Sequence, residues 1–198
     1  MKTRHPTLVG LALGLVLLAG CSAGAATPIA AQPAVSQPDA TPAAVSTPAG
    51  ADKPLAVAPA AAAMVCSTEA KDNVTKILGL ASPPATVPSW NGSTYSCSYK
   101  LPDGAFTMSV EVSAGDSAAK TAAKTLAASL NAEPITGLSN LGLPGYQSAD
   151  GSIVFAKDNM TLHVDATTMT PSVGKNNVSR ADFAYQMATT ILACWSEH

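Results

Sequence analysis

Apolar and polar side chains alternate with a period of two along residues 95–112. Tyr95, Cys97, Tyr99 and Leu101 are spaced by Ser96, Ser98 and Lys100, and Phe106, Met108, Val110 and Val112 by Thr107, Ser109 and Glu111. Successive side chains of a strand point to opposite sides of the sheet, so each run is a strand with one buried face. Pro102-Asp103-Gly104 between them is turn chemistry and predicts a hairpin. A second hairpin is predicted around Asp158-Asn159. Met160, Leu162 and Val164 face one way there, and Thr161, His163 and Asp165 the other.

The period changes to that of a helix in three places. Ser67-Thr68-Glu69 opens a pattern that sets Ala70, Val74, Ile77 and Leu78 on one face, and Gly79 with Pro83-Pro84 ends it. Asp116 or Ser117 caps an Ala-rich helix running to about Leu130, with Leu126 and Leu130 its only large apolar residues, which predicts shallow packing. From a Ser179-Arg180-Ala181-Asp182 cap, Phe183, Met187, Ile191, Cys194 and Trp195 form the stripe of a closing helix. The proline-rich stretch between the first helix and the first hairpin reads as a loop that carries Trp90. This order is satisfied by an α+β fold: an antiparallel sheet of about four to six strands, with two or three helices segregated to one face.

The N-terminal third is different. Lys2 and Arg4 precede an apolar stretch of 13 residues, Leu8 to Gly20, too short to cross a bilayer comfortably and flanked as an export signal is. Leu18-Ala19-Gly20-Cys21 resembles the lipobox of bacterial lipoproteins, which implies cleavage before Cys21 and diacylation of its thiol. The alternative is an ordinary signal peptide that leaves Cys21 a thiol. Two acyl chains anchor stably where one binds marginally. Residues 22–63 hold 17 Ala and 7 Pro in 42 positions and no aromatic residue. Such a stretch cannot bury enough apolar surface to offset chain entropy, and its spaced prolines favour an extended spacer of at most about 130 Å. The reading is therefore a signal over residues 1–20, a lipidated cysteine and disordered linker over 21–63, and one domain over 64–198.

Cys66 before a helix, Ile77-Leu78-Gly79 at its end, Ser96-Cys97-Ser98-Tyr99 on a strand, the Gly137-Leu138 to Tyr146 segment and the closing helix together resemble small actinobacterial cell-envelope lipoproteins. Among these are mycobacterial LpqN-type proteins, whose domain is similar to the Mog1/PsbP sandwich. The resemblance implies an envelope-facing, non-enzymatic domain. With Cys21 acylated, Cys66, Cys97 and Cys194 remain, an odd number for an oxidising compartment. All three fall on core-facing positions. Cys66 with Cys97 is the favoured pair, leaving Cys194 a buried thiol, and Cys97 with Cys194 is the second choice.

Residues 64–198 carry eight Lys and Arg against eleven Asp and Glu, a net charge of −3 without basic clusters. That argues against nucleic acid and against electrostatic attachment to anionic lipid. His163 and Asp165 share a strand face, but a zinc site needs three or four ligands, so they read as two polar residues on a solvated face. No hydrolase elbow, phosphate loop or metalloprotease motif occurs. The glycines at 137, 142 and 145 lack a strand-to-helix context and are read as serving turns and close backbone approach. Trp90, Gly142 and Tyr146 are the candidate binding residues, with no cofactor and no metal. The expected function is a binding module for an envelope protein or cell-wall component, held on the membrane by its lipid, and the alternative is a carrier of an apolar ligand.

Overall fold

A computed structural model describes residues 56–136 and 143–195. The export signal, Cys21, most of the linker and Gly142 lie outside the described residues. The order begins with a one-turn helix α1 (Ala60–Ala63), a 3-10 turn (Met64–Cys66) and helix α2 (Thr68–Leu78). Strands β1 (Thr86–Trp90), β2 (Thr94–Leu101) and β3 (Gly104–Val112) follow, then helix α3 (Asp116–Ser129). Strands β4 (Glu133–Pro134), β5 (Gly145–Gln147), β6 (Ser152–Lys157) and β7 (Met160–Asp165) complete an antiparallel seven-stranded sheet in the order β1-β2-β3-β7-β6-β5-β4. A small ribbon, β8 (Ser172–Val173) with β9 (Val178–Ser179), leads into helix α4 (Arg180–Trp195).

The α+β class is as expected, with more strands than the four to six predicted. The extra ones are short. β1 occupies the stretch read as a loop, so Trp90 ends an edge strand and pairs with Tyr95. Proline confines a strand to a sheet edge, and Pro88 sits in β1 as Pro134 sits in β4 at the opposite edge. Both predicted hairpins form, with Leu101 opposite Gly104 and Lys157 opposite Met160 across two-residue turns.

The helix ends follow from local chemistry. Ser67 Oγ accepts a hydrogen bond from the Ala70 amide (3.1 Å), satisfying a donor that the first turn of α2 leaves unpaired. Gly79, at φ +65°, ends that helix in the left-handed conformation glycine reaches without strain. Ser179 Oγ accepts from the Asp182 amide (3.0 Å) and donates to the Asp182 carboxylate (2.7 Å), the predicted cap of α4. No side chain caps α3, which starts after Gly115.

Register assigns the sheet's two faces. Cys97, Tyr99, Phe106, Met108, Val110, Leu162, Val164, Ile153 and Phe155 point to one side, where Val74 and Leu78 of α2 and Phe183, Met187 and Ile191 of α4 cover them. Phe106 lies at the centre of this core, its ring 5.2 Å from that of Tyr99 and 4.7 Å from that of Phe183. The helices are not all on that face, contrary to expectation. α3 packs on the other side against β6 and β7, through fully buried Ala119, Ala123 and Ala127. Spaced four apart, these alanines bring its backbone against Val154 and Ala156, so Thr161 Oγ1 donates directly to the Ala119 carbonyl (3.0 Å). The packing is shallow, as expected, and also close, because alanine methyls build its buried part and Leu126 and Leu130 stay half-buried at its margin.

The folded domain reaches further toward the N-terminus than the composition implies. Residues 60–63, assigned to the linker because they are four alanines, form α1, and α1 with the following turn lies against β2 and β3. Ala62 and Val65 are fully buried there. The Trp195 indole donates to the Ala61 carbonyl (3.0 Å), and the Tyr99 hydroxyl donates to the Val65 carbonyl. Cys66 is disulfide-bonded to Cys97, as favoured, and Cys194 is a buried thiol outside the disulfide.

Candidate functional site

The sheet face that carries α3 is covered only in part. α3 shields β5, β6 and β7, while on β1, β2 and β3 the same side shows Val87, Ser89, Ser96, Ser98, Thr107 and Ser109. Val87 is 52% exposed, and Ser98 and Thr107 hydroxyls meet at 3.4 Å across the strands. At the border between the covered and uncovered halves runs an open groove of about 1080 Å³, lined among others by Ser93, Glu111, Ser117, Thr121, Leu126 and Ser129. A second groove of about 560 Å³ shares Ser117, Thr121 and Thr125 and is closed on its far side by Pro144 and Tyr146. Lys120 and Lys124 lie along it, Lys120 paired with Asp116 at 2.8 Å.

Of the residues singled out from sequence, Tyr146 therefore lines a groove, facing Val154 across the strands on the α3 side. Trp90 does not join it. The ladder places Trp90 on the α2 and α4 side, half-buried at the far edge of the sheet. The two aromatic residues cannot contact one ligand. Gly145, next to Tyr146, serves close approach as read: a Cβ there would strike the Phe155 ring, its neighbour across the strands.

His163 and Asp165 share a face, but not a fully solvated one. His163 is half-buried, and its Nε2 lies 2.8 Å from the hydroxyl of Ser152, a fully buried residue one strand away. Burial holds the imidazole below its usual pKa, and the Asp165 carboxylate partly opposes this. The three residues superficially suggest a nucleophile, a base and an orienting acid. The geometry separates them. Asp165 Oδ1 accepts from the Thr167 amide (2.9 Å) and hydroxyl (2.7 Å), and Ser152, 1% exposed, offers its oxygen no approach from solvent. Ser152 is further tied to the turn before β6, its amide donating to Ser148 Oγ (3.0 Å).

Among the described residues, no three His, Cys, Asp or Glu side chains converge as metal ligands, and no helix is long and apolar enough to cross a membrane. The Tyr99 phenol is pushed well above its ordinary pKa by burial and by neighbouring Tyr95, so it serves as a hydrogen-bond donor. The grooves beside α3 were missed in the sequence because their walls are Ser, Thr and Ala. The sequence carried no signal that separates the buried stripe: Ala119, Ala123 and Ala127 recur every four residues, but so do Ala118, Ala122 and Leu126.

Comparison with protein families, with curated proteins and with solved structures finds no match for this chain.

Proposed function

We propose that this chain is an extracytoplasmic lipoprotein, anchored through Cys21 and similar to actinobacterial envelope lipoproteins, whose domain binds an envelope protein or polymer without catalysing a reaction. The single observation that carries the binding role is the asymmetry of the sheet. One face is closed by large apolar side chains, while the other leaves hydroxyl-bearing strands and the 1080 Å³ groove open beside α3. A surface of Ser and Thr hydroxyls with scattered apolar groups suits a polar partner held by many weak contacts. The linker, composed as a spacer, supports the placement by setting the domain off from the lipid.

The alternative, a carrier of an apolar ligand, has less support. Phe106, Phe155 and Phe183 fill the space between the sheet and helices α2 and α4, so a ligand would have to occupy the open grooves instead.

A photoreactive residue placed at Thr121 in the groove, in cells of the native host, is expected to crosslink one envelope component that the same residue at exposed Lys76 on α2 does not. Equal labelling from both positions removes the groove from the proposal. Cys21→Ala is expected to move the protein from the membrane fraction to the medium, and its retention on the membrane removes the anchor.

A further inference from the structure

We propose that residues 60–65 form a releasable strap across the sheet, with the Cys66–Cys97 bond as its hinge. The strap is the only part of the described N-terminal segment that enters the core. It joins the chain on its N-terminal side to β2 and β3, and the contacts that hold it are of different kinds, none of them covalent before Cys66. Ala62 and Val65 insert their side chains, half-buried Ala61 and Met64 pack beside them, and Trp195 and Tyr99 donate to the carbonyls of Ala61 and Val65. Within the strap, the Ala63 amide donates to the Pro59 carbonyl (3.1 Å) and the Met64 amide to the Ala61 carbonyl. One turn of helix is too short to be stable alone in water, so the strap closes only by docking on β2 and β3.

At Cys66 the character of the attachment changes from noncovalent to covalent. A pull arriving from the N-terminal side lifts residues 60–65 at the cost of the bond from the Ser67 amide to the Met64 carbonyl (3.0 Å), and spares the rest of α2 because at Cys66 the load passes through the sulfur bridge into β2, paired on both sides. Once released, the six residues reach at most about 20 Å from Cys66, where the extension stops. That a pull reaches the strap in the cell rests on the tethered reading above. The opening itself does not, and it is what the experiment reads.

Native-state hydrogen exchange of the full chain, followed over rising urea below the unfolding transition, tests it. Ala63 and Met64 amides are expected to exchange faster than those of β3 and with a shallow urea dependence, the mark of a small opening. Tyr99→Phe, which removes the hydroxyl bond to Val65 and keeps the ring, is expected to speed both amides about fivefold. In a Cys66→Ala/Cys97→Ala variant, the α2 amides are expected to join the strap's exchange class. Three results overturn the proposal: strap amides that share the rate and urea slope of β3, so that the segment leaves only with the whole fold; strap amides indifferent to Tyr99→Phe, so that they report fraying alone; and α2 amides that stay in the core class without the disulfide, so that the bond is no hinge.

Discussion

The two faces of the sheet are built from opposite materials. The side under α2 and α4 is packed with Phe106, Phe155, Phe183, Met108 and Met187, and carries the disulfide. The side under α3 relies on alanine methyls and Val154, with half-buried Leu126, Leu130 and Tyr146 around them and one hydroxyl-to-carbonyl bond, and leaves β1, β2 and β3 without a helix over them. Fully burying a Phe or Met side chain contributes about 1.5–3 kcal/mol, whereas an alanine contributes a single methyl. Stability therefore resides on the first face. The second keeps a close, thin contact and an open surface.

Truncating the thick face is the largest expected perturbation. Phe106→Ala is expected to cost about 3–5 kcal/mol in urea unfolding, because the cavity it leaves lies between the rings of Tyr99 and Phe183 and cannot collapse readily. Cys66→Ala/Cys97→Ala, which opens a loop spanning a sequence separation of 31, is expected to lower unfolding stability by about 3–4 kcal/mol. On the thin face the informative change is an enlargement. Ala123→Leu is expected to cost about 1–3 kcal/mol by lifting α3 from Val154 and Ala156, and if stability stays unchanged the interface is looser than described.

The smallest effect is a pH dependence. Burial lowers the folded-state pKa of His163 below the ordinary value, so the unfolded chain binds the proton more readily. Its contribution is fully present above the unfolded pKa, about 6.5, and is lost as pH falls from there through the folded pKa. Unfolding followed across this range is expected to show a decline on acidification that is absent in His163→Gln. An identical decline in that variant assigns it to other groups.

The thick face was legible in the sequence and the thin one was not. Tyr95 to Leu101 and Phe106 to Val112 alternate on either side of the Pro102-Asp103-Gly104 turn, and the large residues of α4 recur along one stripe, so both periods show clearly and fix which side is buried. Periodicity alone does not choose among the three cysteines; Cys66 with Cys97 is favoured over Cys97 with Cys194 because it pins the start of a helix to the strand that carries Cys97, and that is the pair formed. In α3, Ala119, Ala123 and Ala127 are indistinguishable by type from exposed Ala118 and Ala128, so only contact with β6 reveals which are buried. The strap was lost for the same reason: Ala60 to Ala63 continue the composition of the linker, and Trp195, which holds them, lies at the other end of the chain. β1 was hidden by Pro88, which reads as a breaker although an edge strand tolerates it. Ser152 and His163 are eleven residues apart on separate strands, and their meeting depends on the hairpin register.

The proline in each border strand has a further consequence for crowded copies. A ladder grows only where a free amide can meet a neighbour's carbonyl, and Pro88 on one rim and Pro134 on the other each remove a donor. Two copies brought rim to rim thus lack an unbroken row of donors along which one sheet could continue into the next.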